Sequence, residues 1–145
     1  MTQGVGDLDR SVGYALKLAA SALRAAMEAA LRPLGLTVSQ YSCLEVLGQR
    51  PGLSAAELAR AVFVTRQSMH ALLLGLEERG LLERAVTAPQ GRALPTQLTD
   101  AGRGILAEAS AIVAGVERRM TAAFDRAAVG RLVADLAACA EALND

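Results

Sequence analysis

Thr65, Arg66, Gln67, Ser68 and His70 bring a guanidinium, an amide, two hydroxyls and an imidazole into one short stretch of this chain. Groups of this kind read base edges. Arginine matches the paired acceptors of guanine and glutamine the acceptor and donor of adenine, each good pair discriminating by about 1–3 kcal/mol. A solvated helix end has the same composition, so these residues alone leave both readings open. A second polar projection stands in "TAPQGRALPTQLT", where Arg92 follows Gly91 between Pro89 and Pro95, one cation on a short, stiff turn. Other chemistries lack their residues. His70 is the only histidine and has no carboxylate or cysteine at metal-ligand spacing, so no metal site is expected. Cys43 and Cys139 make neither a Cys-x-x-Cys pair nor a disulfide framework. With no glycine-rich phosphate loop and no Gly-x-Ser-x-Gly, neither an enzyme nor a bound cofactor is expected.

The elements that must hold these groups follow from period and punctuation. Val12, Leu16, Ala19, Leu23, Ala26 and Ala30 recur at three- and four-residue steps and predict an amphipathic helix over 8–32, ended by Pro33 and Gly35. Thr37 with Gln40 and Ser54 with Glu57 are capping boxes, opening a second helix to Gln49 and a short third one to Ala61. Only Val62 to Val64 separate that helix from Thr65, the N-cap of a fourth running to Arg79 and closed by Gly80. Helices joined this tightly make a helix-turn-helix. Met69, Leu72, Leu73 and Leu76 form the fourth helix's buried stripe, and Arg66, Gln67 and His70 lie off it. "LLERAV" and "ALPTQL" suit two short strands with Leu82, Leu94 and Leu98 inward and Pro95 on an outer edge. Two further helices are expected, from Thr99 and from Asp125.

The chain has 145 residues, 52% hydrophobic and 3% aromatic, dominated by alanine and leucine. The fold class is therefore mostly α with a small β-hairpin. Formal neutrality excludes a polybasic protein, yet between Arg50 and Arg103 seven arginines face five acids, a local excess of two positive charges. The opening residues lack the regions of a signal peptide, and charges such as Lys17 and Glu108 interrupt the apolar stretches. A cytoplasmic protein with no membrane contact is expected.

The succession of a long helix, "LGLTVSQYSCLEVL", "LSAAELARAVFVTRQSMHALLLGLEERGLLER", a wing and "LTDAGR" resembles the MarR family of bacterial winged helix-turn-helix regulators, from about residue 8 to the C-terminus. The resemblance implies a homodimer, with dimerisation helices in 8–36 and 99–145, a DNA-binding lobe at 37–98 and flexible residues 1–7. It implies a transcription repressor on pseudo-palindromic double-stranded operator DNA. Helix 65–79 would lie in the major groove and wing 85–93 in the minor groove, with half-sites about one helical turn apart. Thr65, Arg66, Gln67, Ser68 and His70 match the part of the family motif that faces the bases, and Ser54 the cap of a helix that meets phosphate. Arg84 would touch phosphate or pair beside Glu83, and Gln90, Gly91 and Arg92 would form the wing tip. Tyr14, Lys17, Tyr41 and Cys43 are candidates for binding a small aromatic or anionic effector that releases the DNA. Two positions depart from the family pattern. Gln90 stands where an Asp commonly orients the wing arginine, and Ala71 where an Arg often meets phosphate, so backbone contacts are fewer. Two alternatives stay open: a helical dimeric interaction protein with degenerate DNA binding, and a redox-responsive regulator acting through the Cys43 thiol.

Overall fold

A computed structural model describes residues 7–84 and 95–144. They form six α-helices, one hairpin and two short 3-10 turns (Leu8–Arg10 and Arg32–Leu34): α1 (Val12–Leu31), α2 (Val38–Gln49), α3 (Ala55–Ala61), α4 (Arg66–Glu78), β1 (Leu82–Arg84), β2 (Thr96–Leu98), α5 (Asp100–Met120) and α6 (Arg126–Leu143). Side-chain caps start every helix: Ser11, Thr37, Ser54, Thr65, Thr99 and Asp125 each accept a backbone N–H from the first turn. Both capping boxes close with all four hydrogen bonds.

The expected first helix is split. Asp7 caps a 3-10 turn at Leu8–Arg10, and Ser11, in extended conformation, then caps α1 afresh. Two capping residues four positions apart offered the backbone a stop that apolar periodicity does not register. At the other end Gly35 takes φ +68°, and the guanidinium of Arg79 at the C-terminus of α4 donates to Gly35 O at 2.9 Å and Leu34 O at 3.3 Å. This pair of bonds ties α4 to the turn that follows α1.

The core gathers Leu31, Leu44, Leu47, Leu58, Met69, Leu73 and Leu76 around the ends of α1 to α4, closed by Leu82 and Leu98 from the hairpin and Ala109 from α5. The hairpin is antiparallel, with Leu82 opposite Leu98 and Arg84 opposite Thr96. Leu82 and Leu98 point inward as expected, and Leu94 lies outside the described residues. Pro95 precedes β2 rather than occupying its edge, because Thr96 spends both its backbone groups on the segment before α3: its N–H donates to Leu53 O at 3.2 Å and its carbonyl accepts from Gly52 at 3.0 Å. A proline in the position of Thr96 could not have made the first of these.

α5 packs along α1 and against α2. α6 buries none of its residues, leaving Leu132, Val133, Leu136 and Leu143 open, and α1 buries only Leu31. Among the described residues no helix is long and apolar enough to cross a membrane.

Candidate nucleic-acid interface

Leu58 and Ala59 of α3 and Met69, Leu73 and Leu76 of α4 are all buried, so the opposite face of α4 is left as a surface. Thr65 starts that helix by accepting the Ser68 N–H at 3.0 Å, while its own hydroxyl donates to Ser68 Oγ at 3.0 Å. The two hydroxyls thus brace the first turn. Arg66, Gln67 and His70 are exposed beside them, and their side chains hydrogen-bond to no other described residue. Among the described residues nothing occupies their side-chain donors and acceptors. Further along the same face Ala71 and Leu74 are exposed and Gly75 half-exposed, a stretch with no cation to offer a phosphate.

Ser54 and Arg84 are more committed than their sequence positions suggest. The Ser54 N–H that an anion would need is taken by Glu57 Oε1 at 2.9 Å, and the Ser54 bonds in turn hold the Glu57 carboxyl below its ordinary range. Arg84 pairs with Glu77 on α4 rather than beside Glu83. Its Nε lies 3.4 Å from Glu77 Oε1, close enough for charge attraction but without an aligned hydrogen bond. The pair fastens the hairpin to α4. Gln90, Gly91 and Arg92 lie outside the described residues.

The four effector candidates do not converge. Tyr14 and Lys17 are exposed on α1, whereas Tyr41 is buried on α2 with its hydroxyl donating to Glu45 Oε2 at 3.4 Å. Cys43 is fully buried, and desolvation pushes its thiol up to about 12. A thiol held so far from ionisation is a poor nucleophile toward oxidants, which weighs against the redox reading through Cys43. A cavity of about 490 Å³ opens instead between α2, β2 and α5, with Glu45, Gly48, Gln49, Gln97, Arg103 and Ser110 on its walls. Glu45 is its polar centre, accepting from Gln49 Nε2 at 2.8 Å and Ser110 Oγ at 3.0 Å as well as from Tyr41. Arg103 stands on the same wall, donating to Leu98 O at 3.1 Å and pairing with Asp100. The cavity therefore offers a carboxylate already supplied with donors and a guanidinium partly open to solvent.

A tightly turned α3–α4 pair with a hairpin behind it matches known proteins. The MarR family model matches residues 34–93. The HTH-type transcriptional repressor Rv2887 of Mycobacterium tuberculosis is 43% identical over 119 residues, which are 82% of this chain and 85% of that protein. This chain belongs to the MarR family. Its winged-helix fold overlays the Rv2887 structure in complex with DNA at a TM-score of 0.75, with 37% identity over 88% of this chain and 98% of the other. The transcriptional repressor CouR bound to a 23-mer DNA duplex gives a TM-score of 0.85, with 33% identity over 97% of this chain and 99% of the other. Rv2887 has also been solved with salicylic acid and CouR with p-coumaroyl-CoA.

Within this MarR fold, Glu45, Arg103 and Ser110 are the polar residues that sequence reasoning passed over. One signal was available for Glu45: it is the single charged residue inside "YSCLEVL", a run otherwise made for packing. Ser110 and Arg103 carry no such mark, since their place beside Glu45 depends on how α5 crosses α2.

Proposed function

We propose that this protein is a homodimeric transcription repressor that binds inverted-repeat operator DNA through α4 and lets go when a small aromatic carboxylate, or its thioester, enters the α2–α5 cavity. One observation carries the DNA part: the N-terminal turn of α4 presents Arg66, Gln67 and His70 outward on a helix whose opposite side is locked into the core by Met69, Leu73 and Leu76. A rigidly mounted polar helix end is what major-groove readout requires. The DNA complexes of Rv2887 and CouR support the same reading. Dimerisation is supported by the bare apolar faces of α1 and α6, on which Val12, Leu16, Leu132 and Leu136 face solvent in a single chain. Gln90, Gly91 and Arg92 enter this reading by sequence alone, as the wing tip.

The effector part rests on the cavity and on the two ligands solved with its relatives. Arg103 would receive a carboxylate, and the Glu45–Ser110–Tyr41 cluster would orient a phenolic or amino substituent at the other end. Ser54 and Arg84 serve the architecture in this reading, as a cap and as a hairpin fastener, and Tyr14 and Lys17 belong to the dimer frame.

The test is fluorescence anisotropy with a duplex taken from upstream of the protein's own gene, against a scrambled duplex, across a salt series. A preference for the native duplex with affinity falling steeply as salt rises is expected. Equal affinity for the two duplexes would leave the fold as a helical interaction module and sink the repressor reading. Salicylate and p-coumarate are then titrated into the complex; release by either, abolished in Arg103→Ala, supports the cavity as the effector site.

A further inference from the structure

Phe63 occupies the turn between α3 and α4 with φ +61°. The other left-handed residues described, Gly35, Gly52 and Gly80, are all glycines, so Phe63 is the exception among them. Its neighbours explain why the turn needs that conformation. Val62 N–H donates to Leu58 O and Val64 N–H reaches back to Ala59 O, both at 3.0 Å, which is the six-to-one closure of a helix whose next residue is left-handed and ordinarily glycine. A Cβ in that conformation crowds the following carbonyl, a cost glycine does not carry. No burial offsets it here, because the Phe63 ring is 93% exposed. Strain and exposure at one residue, unrepaid among the described residues, direct attention to a bound state.

The surroundings identify the partner. Val62 and Val64 are half-buried and fix the turn, so the ring projects from a rigid mount two residues before Thr65, the cap of α4. Arg60 stands three residues before Phe63 and Arg66 three after, and both are exposed. A surface that covers the ring must therefore tolerate two exposed arginines within three residues of it. Duplex DNA meets that description, since its phosphates attract the arginines and its major groove presents one kind of apolar group, the thymine methyl.

We infer that Phe63 is a base-contacting residue whose ring lies against a thymine methyl in the major groove, one thymine per half-site. This rests on the DNA-binding reading and extends it to a side chain outside α4. The conformational cost is met in the complex, where the ring leaves water.

The experiment uses the full-length protein and an operator selected from a random duplex pool, with each thymine replaced in turn by uracil, which lacks only the methyl. For the native protein one symmetry-related position is expected to lose about fourfold in affinity, the value of one buried methyl. Phe63→Gly, which removes the ring from both half-sites, is expected to bind the all-thymine operator about sixteenfold more weakly, to be indifferent to uracil at that position, and to keep the native slope of affinity against salt, because a ring neutralises no phosphate. Its thermal midpoint should not fall, since glycine fits the left-handed turn. Phe63→Asn, which also tolerates that backbone, serves as a second variant and should behave in the same way. Native-like operator affinity in either folded variant overturns the inference, as does a loss with no uracil-sensitive position, or a change in oligomeric mass that accounts for the loss. A native protein that selects no duplex at all would refute the DNA-binding reading itself, and that result appears before any variant is made.

Discussion

Gly102 and Gly104 lie two residues apart on α5, and replacing each by alanine should move stability in opposite directions. A Cβ built on Gly102 overlaps the carbonyl oxygen of Leu81 outright and lies 2.9 Å from its carbon. The obstacle is backbone, so no side-chain rotation relieves it. Leu81 is fixed in turn: its oxygen accepts the Thr99 N–H at 3.1 Å, and the Thr99 hydroxyl donates to Gly80 O at 2.6 Å while accepting from Gly102 N–H at 3.0 Å. Gly102→Ala must push the start of α5 off the hairpin base. Overpacking of this kind costs about 1–3 kcal/mol, and loss of the Thr99 cap adds about 1 kcal/mol. A destabilisation of about 2–4 kcal/mol is expected. Gly104 is exposed, with nothing within 4 Å of an added Cβ, so Gly104→Ala should gain about 0.5–1 kcal/mol through helix propensity alone. Urea denaturation followed by circular dichroism, at one fixed protein concentration, measures both. A Gly102→Ala variant as stable as Gly104→Ala would refute the close approach of α5 to Leu81, and with it the view that this helix is seated directly on the hairpin.

In the operator-binding assay, Arg66→Ala should weaken binding by about 1–3 kcal/mol and reduce the salt dependence, whereas Gln67→Ala should weaken it with the salt slope unchanged; equal effects on the slope would argue against base contact by Gln67. Treatment with peroxide should leave DNA binding intact in a Cys139→Ser background, because burial holds the Cys43 thiol far above its ordinary pKa; inactivation that Cys43→Ala prevents would contradict this. Burial, and secondarily the charge of Glu45, raise the Tyr41 phenol above its usual value of 10.0. The folded state therefore favours the neutral phenol, and its contribution to stability is present below pH 10 and lost as pH rises through the folded value. Tyr41→Phe should flatten that alkaline decline, and an unchanged profile would refute the assignment. Leu136→Asp, on the face of α6 that is open in a single chain, should dissociate the dimer in analytical ultracentrifugation and lower helicity; a helical dimer would mean that α6 packs elsewhere.

The helices were legible because their signals are local. Thr37–Gln40, Ser54–Glu57, Thr65, Thr99 and Asp125 each cap within a single turn, and the buried stripe of α4 repeats within thirteen residues. The outward set at Arg66, Gln67 and His70 follows from the same period, since fixing the inner face of a helix also fixes its outer one. What escaped was set by pairs far apart in sequence. Glu45 meets Ser110 across 65 positions, Arg79 reaches Gly35 across 44, and Thr96 shares its backbone bonds with Gly52 and Leu53. Arg84 was read against its strand neighbour when its partner, Glu77, stands on the helix beneath. Phe63 was hidden for a different reason: the sequence shows that a turn is present, but the left-handed backbone that makes an aromatic anomalous there is visible only in φ.

The division between satisfied and unsatisfied surfaces bears directly on how release could work. α2 to α4 and the hairpin bury their apolar faces against one another, while α6 buries nothing and α1 almost nothing. Most helical stability in proteins comes from packing an apolar face, so α6, with no residue buried, takes its stability from whatever covers it, and the proposed second copy supplies that cover. α5 joins the two regions. At one end Gly102 is seated on Leu81 at the hairpin base, and toward the other Val116 is buried near α1. Arg103 and Ser110 lie between these ends, on the wall of the cavity shared with Glu45. Under the proposed reading, a ligand there would act on the helix that runs from α1 to the hairpin base, and would change the spacing of the two α4 helices of the dimer without deforming either lobe. Because an operator of fixed half-site spacing selects one such distance, a ligand that binds the shifted arrangement more tightly must release DNA by the same factor.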